Sequence, residues 1–293
     1  MELIDTHVHF WDLRRSEISY PWLSPGEPHP VLGEIDQIKS PLYDPRAFIA
    51  ESRHSGVTKV VHVEADARSE NPRAETDWLE AMARSQGLPD AIVAHVDLAA
   101  PDVADRLAGE RACALARGVR DFGTTRYLKD ASSAPGFERG VAALAESGLV
   151  FDLDCAWQEM PAGRDPAERH PALTVVLEHI GYPRQRDAEY FAHWREGIRV
   201  LAGAENVSCK LSGLGMTDRS WTIDSLRPWV ETCIEAFGPG RCLYGSNWPI
   251  DRIASSYTAA ASAFLELISS CTDGEQVAIC SGNAARVYRL AQS

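Results

Sequence analysis

The 293-residue sequence has no long apolar run and no excess of basic residues. No apolar stretch approaches the ~18 residues needed to cross a bilayer, so we expect no membrane span. Lysine and arginine total 29 against 42 aspartate and glutamate residues, which gives a net charge of −13. This balance argues against nucleic acid or an anionic membrane surface as the main partner.

Cysteine motifs are missing as well. The seven cysteines are scattered along the chain and form no Cys-x-x-Cys pair, so the sequence suggests neither a thiolate zinc motif nor a disulfide framework. The first ten residues contain acidic side chains and no basic segment, so we expect no signal peptide. A reduced, cytoplasmic protein is the expected setting, and assembly into a homo-oligomer is left open.

The sequence lacks glycine-rich phosphate loops: it has neither G-x-G-x-x-G nor a Walker-type motif, and no G-x-S-x-G elbow. This absence weakens a doubly wound open sheet, the main alternative for a chain of alternating strands and helices. Short apolar strands are predicted over 4–10, 58–64, 91–97, 119–122, 149–154, 173–179, 206–212 and 241–247. Their alternation with helices predicts a (β/α)8 TIM barrel, an α/β fold, as a single domain over residues 1–293.

Helical patterns separate most of these strands, and a proline-rich segment follows the first. Helices are predicted over 45–55, 73–86, 102–117, 136–147, 187–202, 223–237, 251–270 and 283–291. Residues 11–43 contain five prolines without clear periodicity and are predicted to form a long irregular loop. Its aromatic residues Trp11, Tyr20 and Trp22 either line a pocket or pack beneath the loop.

Polar side chains gather at the carboxyl ends of the predicted strands. They are His7, His9, Glu64, His95, Asp97, Arg120, Asp121, Asp152, Asp154, Glu178, His179, Lys210, Ser212 and Asn247. In a (β/α)8 barrel these ends meet at one mouth, where active sites lie. Because buried ionisable groups are costly unless they are paired or functional, the pattern favours a catalytic mouth over a structural one.

Two sets of side chains suggest specific chemistry. His7 and His9 are two positions apart on a strand, so both project from the same face and suit a metal ion or an anionic oxygen. The alternative is one buried and one solvated histidine. Arg120 can clamp a carboxylate with two N–H groups, and Lys210 can add a point charge. The alternative for both cations is a salt bridge to Asp121, Asp154 or Glu64.

Four motifs together carry a family resemblance. They are His7-Val8-His9, His179 to Pro183, Lys210 to Gly213 and Tyr244 to Pro249. In this order they resemble the amidohydrolase superfamily, and within it the amidohydrolase 2 branch of sugar-lactone hydrolases and 2-pyrone-4,6-dicarboxylate lactonase. The resemblance spans nearly the whole chain.

The resemblance implies a hydrolase that opens a small lactone, either sugar-like or anionic. It implies that His7, His9 and His179 hold a divalent metal ion, zinc or manganese, or polarise the substrate carbonyl directly. From the chemistry of their side chains, Arg120, Lys210, Glu64 and Asp154 are expected to bind the substrate. Two other functions stay open: a metal-dependent decarboxylase of the same branch, and a degenerate member that only binds a ligand.

The sequence departs from the family pattern at two strands. The fifth strand has carboxylates in place of a histidine, and Asn247 on the eighth occupies the position of a usual aspartate. An amide cannot take up a proton at neutral pH, so Asn247 can orient a water but cannot be the general base. The candidate bases are therefore Asp251, Asp154 and Glu64, with a simple helix cap as the alternative role for Asp251.

Overall fold

The computed structural model describes residues 1–26, 28–29, 32–130, 132 and 135–291. Its strands are β1 (Leu3–Val8), β2 (Trp11–Asp12), β3 (Leu42–Tyr43), β4 (Val57–Val63), β5 (Ala91–His95), β6 (Ala116–Arg120), β7 (Val150–Leu153), β8 (Val175–Leu177), β9 (Val207–Leu211) and β10 (Cys242–Tyr244). Eight of them form one parallel sheet in the order β1-β4-β5-β6-β7-β8-β9-β10. If the short β2–β3 pair is left out, strands that are adjacent in the sheet are also consecutive in the chain. A (β/α)8 barrel requires this order.

The first and last strands of this sheet are joined, which closes the barrel. Val8 forms a parallel bridge with Trp248, and the His9 backbone N–H donates to the Trp248 carbonyl at 2.8 Å. The Thr6 hydroxyl donates to the carbonyl of Tyr244 at 2.6 Å. The barrel predicted from the alternation of strands and helices is confirmed.

Helices cover the outside of the barrel. They are α1 (Pro45–Ser52), α2 (Ala74–Gln86), α3 (Val103–Arg111), α4 (Thr124–Lys129), α5 (Phe137–Ser147), α6 (Met160–Arg169), α7 (Ala188–Ala202), α8 (Ile223–Phe237), α9 (Tyr257–Leu267), α10 (Asp273–Val277) and α11 (Asn283–Val287). The Asp44 side chain caps α1 by accepting from two backbone N–H groups, and Gly87 ends α2 in the left-handed region. None of the helices among the described residues combines the length and the apolar character needed to cross a membrane.

Two helical predictions need correction, and further helices were missed. α3 ends at Arg111 rather than Arg117, because β6 begins at Ala116. The helix predicted over 251–270 is a 3-10 turn followed by α9, and the Ser256 side chain caps the start of α9. α4 and α6 were not predicted, and Pro166 inside α6 hides a helical pattern because proline usually interrupts one.

The loop that follows β1 folds back over the barrel mouth. β2 pairs with β3 in antiparallel fashion, and the indole N–H of the fully buried Trp11 donates to the Ser40 carbonyl at 2.9 Å. Tyr20 is also buried, so both side chains pack beneath the loop. Trp22 donates from its indole N–H to the Ala65 carbonyl at 2.8 Å, which ties the loop to the segment after β4. Pro30 lies outside the described residues.

Candidate active site

Three histidines from distant parts of the chain meet at the carboxyl end of the barrel. His7 ends β1, His9 follows it, and His179 follows β8 with a positive φ of 50°. The Nε2 atoms of His7 and His9 are 3.1 Å apart, and the ring centroids of His7 and His179 are 4.2 Å apart. The structure therefore brings together the three side chains that the motifs indicated.

The other ring nitrogens of these histidines face the protein. His9 Nδ1 donates to the Val63 carbonyl at 2.8 Å, and His179 Nδ1 lies 2.8 Å from the Ser212 hydroxyl. His7 Nδ1 lies 3.3 Å from Glu178 Oε1 but makes no aligned hydrogen bond. Such partners on one ring nitrogen orient the other nitrogen toward the site.

The His7–His9 contact suits a cation. A carbonyl only accepts, so His9 carries its proton on Nδ1 and presents a lone pair at Nε2. If His7 donated to that lone pair, its own Nδ1 lone pair would face the Glu178 carboxylate at 3.3 Å, which is repulsive. A divalent metal ion held by His7 and His9 would remove this conflict and would supply Lewis acidity at the site.

Burial keeps the imidazoles neutral, the state that binds metals. It lowers the pKa of His9 to about 4 and that of His179 to about 3, and it holds the pKa of His7 well below its usual value. A neutral imidazole needs no deprotonation before it coordinates a cation. The donor set therefore fits a divalent metal ion better than an additional proton.

Glu178 belongs to this cluster, although sequence analysis gave it no role. Among the described residues, the side chains whose ligand atoms all lie within 4.8 Å of one another are His7, Glu178 and His179. This trio differs from the predicted set by exchanging His9 for Glu178. The position of Glu178, directly before His179 at a strand end, was the signal that could have identified it.

Beneath the histidines lies a cluster of buried charges that we call the floor: Glu64, Arg120, Asp152, Glu178 and Lys210. Arg120 Nε donates to Glu64 Oε1 at 2.8 Å and Nη1 donates to Glu178 Oε2 at 2.9 Å. Lys210 Nζ donates to Glu178 Oε1 at 2.9 Å and to Asp152. Burial alone would raise the pKa of Glu178, but the adjacent His7, Lys210 and Arg120 hold it well below its usual range.

A cavity of about 400 Å³ opens above the floor. Its walls include His9, His179, Arg120, Asp154, Tyr182 and Asn247. Asp154 is partly exposed there, and burial raises its pKa to about 7 although Arg120 and Tyr182 oppose the shift. Trp22 also lines the cavity, so the loop after β1 contributes an aromatic wall.

Comparison with known proteins identifies the family. A model of the amidohydrolase family matches residues 4–290. The chain belongs to the amidohydrolase family. The resemblance drawn from the four motifs is confirmed, and the fold described above is that of an amidohydrolase.

Relatives of this amidohydrolase are similar over their whole length. An uncharacterized protein, y4mH, of Sinorhizobium fredii is 36% identical and covers 98% of each chain. L-fucono-1,5-lactonase of Burkholderia multivorans is 32% identical over 98% of this chain and 96% of its own. The crystal structure of an amidohydrolase from Burkholderia multivorans with bound zinc superposes with a TM-score of 0.81 at 30% identity, covering 99% of this chain and all of that one.

In this amidohydrolase, Asn247 is anchored by Asp251. Asn247 has a φ of +58° and lines the cavity, and its Nδ2 donates to Asp251 Oδ1 at 2.9 Å. The Gly215 backbone N–H donates to the other Asp251 oxygen at 2.9 Å. Burial raises the pKa of Asp251 to about 7, but its carboxyl is not part of the cavity wall. Asp251 therefore positions the Asn247 side chain. The catalytic role predicted for Asp251 stays a prediction, and the alternative role as a helix cap is not seen.

The floor residues that were predicted to bind substrate are paired with other protein groups, and their substrate-binding role stays a prediction. Lys210 and Glu64 are fully buried and do not line the cavity. Both carboxylate oxygens of Glu64 are used, by Arg120 and by the Asp66 backbone N–H at 2.8 Å. Arg120 reaches the cavity, but its Nε and Nη2 groups are bound to Glu64, so this edge cannot clamp a substrate carboxylate.

Proposed function

We propose that this amidohydrolase opens a small lactone by adding water to its ring ester. The observation that carries the proposal is the cavity of about 400 Å³ that joins His9 and His179 to the partly exposed Asp154. Its volume suits a small molecule of one ring rather than a polymer. The 32% identity to a chain named L-fucono-1,5-lactonase, over nearly the full length of both, supports the same reaction class.

The proposal includes a divalent metal ion, zinc or manganese. His7, His9 and His179 would hold it, with Glu178 as a further donor from the same cluster. When bound, such an ion supplies Lewis acidity for the ester carbonyl. Glu178 also neutralises Arg120 and Lys210, so the protein's own cations stay fixed beneath the histidines.

Asp154 would move the proton. With a pKa of about 7 it is partly ionised at neutral pH and can take a proton from the attacking water. As the acyl carbon–oxygen bond breaks, the same group can return that proton to the ring oxygen, which leaves a hydroxy acid. Because the Nδ2 of Asn247 is bound to Asp251, its amide oxygen is left to orient the water.

Of the three candidate bases, Asp154 is the one whose carboxyl lines the cavity. A decarboxylase would need no such base, because water does not attack its substrate. The position and raised pKa of Asp154 therefore favour hydrolysis over the decarboxylase alternative.

A lactone panel in weakly buffered indicator solution tests the proposal. L-Fucono-1,5-lactone and D-glucono-1,5-lactone should release acid faster than they do with heat-denatured protein. Removal of metal with dipicolinate should abolish this turnover, zinc or manganese should restore it, and His7→Ala should lower the metal bound per chain. Ring opening no faster than the spontaneous rate across the panel would refute the lactonase proposal, and full turnover by metal-free protein would refute its metal.

A further inference from the structure

We propose that Arg184 forms an anion-binding subsite and selects lactones that carry a carboxylate. Arg184 lies at the solvent-exposed edge of the cavity, which we call the rim. The inference rests on the proposed lactonase function and names the substrate class of the same site. In this proposal the substrate anion binds Arg184 rather than Arg120 or Lys210, because those two cations are paired with carboxylates of the floor.

Among the charged side chains that line the cavity, one cation has no partner in the part of the chain that the structure describes. These charged side chains are Asp66, Arg68, Arg120, Asp154 and Arg184. Arg68 is paired with Asp66 at 2.7 Å, and Arg120 is paired with two carboxylates of the floor. Arg184 is thus left as a positive charge on the wall, in a protein whose net charge is −13.

The Arg184 guanidinium is exposed and free to bind a ligand. In the part of the chain that the structure describes, it has no ion-pair or hydrogen-bond partner. Arg186, two residues further, differs: it lies 3.6 Å from Asp218 and stacks on Trp229 at 4.8 Å. A cation left unpaired beside a paired neighbour, and facing a cavity, is available for an anionic group.

The backbone around Arg184 is nevertheless held firmly. The Arg184 N–H donates to the Tyr190 hydroxyl at 3.0 Å, and Arg186 donates to the Pro183 carbonyl at 2.6 Å. Tyr182 has a φ of +51°, and its ring packs against His179 at 4.9 Å between centroids. This turn connects the rim to the histidine cluster and fixes where the Arg184 side chain starts.

A carboxylate is the chemical group that best fits this position. A guanidinium presents paired N–H groups that match the two oxygens of a carboxylate. Since the rim is open to solvent, part of the attraction is lost to screening, and we expect an effect of about 10-fold on binding. A neutral lactone of the same size would gain nothing from Arg184.

Two lactones that differ by one group test the subsite. D-Glucaro-1,4-lactone carries a carboxylate where D-glucono-1,4-lactone carries a hydroxymethyl group. Arg184→Ala should raise KM for the first about 10-fold and leave KM for the second within about twofold. Arg184→Lys should recover part of the loss, and Arg84→Ala, which removes an exposed charge paired with Glu80 on α2, should change neither KM.

Equal effects of Arg184→Ala on both lactones, or no effect on either, would overturn the subsite. If the parent opens neither lactone, binding of D-glucaro-1,4-lactone measured by calorimetry decides the question instead. Binding that Arg184→Ala weakens would support the subsite even then, while absent binding or an unchanged affinity would overturn it. Failure to open any lactone of the wider panel counts against the lactonase function and not against the subsite.

Discussion

The floor and the rim of the cavity use the same kinds of side chain under opposite conditions. On the floor, Arg120 and Lys210 share Glu178 and are buried. At the rim, Arg184 is exposed and, among the described residues, has no carboxylate partner. The two regions are joined by the turn that carries His179 and Tyr182.

This difference shows which cations support the site and which cation can bind a substrate. A buried charge must be paired, because leaving it alone in the interior costs several kcal/mol. The floor cations therefore hold Glu178 and the histidines in place and have no capacity left for a substrate. A solvated cation has no such requirement, so Arg184 can exchange water for a ligand.

The largest expected effect concerns Asp154, whose carboxyl lines the cavity and is bound to Tyr182. Asp154→Asn should lower kcat for lactone opening by about 10²–10⁴-fold, because the amide cannot accept a proton. In the parent, activity should rise with pH through an inflection near 7, where this carboxyl loses its proton. Rate measurements across pH, with thermal melting as a folding control, check both points. A variant within threefold of the parent would remove Asp154 as the base.

A smaller effect is expected when the floor is opened. Lys210→Met leaves Asp152 and Glu178 without their shared cation, and should lower the free energy of unfolding by about 3–5 kcal/mol. Arg184→Ala at the rim should change it by less than about 0.5 kcal/mol. Urea unfolding measures both variants, and loss of soluble Lys210→Met protein would agree with the larger figure. Similar small losses for the two variants would show that floor and rim do not differ in this way.

The effect that is smallest per unit of pH comes from Glu75, a buried carboxyl that receives hydrogen bonds from the Ala65 N–H rather than from a cation. Burial raises its pKa to about 8, opposite to the lowered pKa of Glu178. Between its ordinary pKa near 4.5 and 8, the unfolded chain releases this proton while the folded protein keeps it. The stability that Glu75 contributes at low pH is therefore lost as pH rises toward 8.

Glu75→Gln should make the free energy of unfolding fall less steeply as pH rises. Across this window the free energy of unfolding of the parent should fall by up to about 1.4 kcal/mol per pH unit more than that of the variant, since at most one proton is involved. Chemical unfolding of both proteins at pH 5, 6.5 and 8 measures the slopes. Parallel slopes would mean that Glu75 ionises in the fold as it does in water.

The barrel was predictable because its signals are local. β-branched strands, glycines after helices and the Asp44–Pro45 start of α1 each lie within a few residues of the feature they specify. The gathering of the histidines followed from the fold, since parallel strand ends share one mouth. Short or proline-containing helices such as α4 and α6 lack a clear period and escaped notice.

The pairing of charges at the mouth was not predictable in the same way. Arg120, Lys210 and Asp154 all stand at strand ends in the sequence, and nothing local shows which of them meets a partner. Glu178 decides the outcome by accepting from both cations, at sequence separations of 58 and 32 residues. Such contacts depend on depth in the barrel, which strand spacing does not reveal.

The closure of the barrel has a consequence for how this site can be divided or transferred. Its parts come from both ends of the chain: His7 and His9 from the first strand, and Asn247 from beyond the last, held together by the contacts of Thr6 with Tyr244 and of His9 with Trp248. The mouth residues run from His7 to Asn247, so a fragment much shorter than this span lacks part of the site. A segment grafted onto another protein, or half of the chain expressed alone, would contain some of the site residues without the others. Transfer of the site to another protein therefore requires the complete barrel.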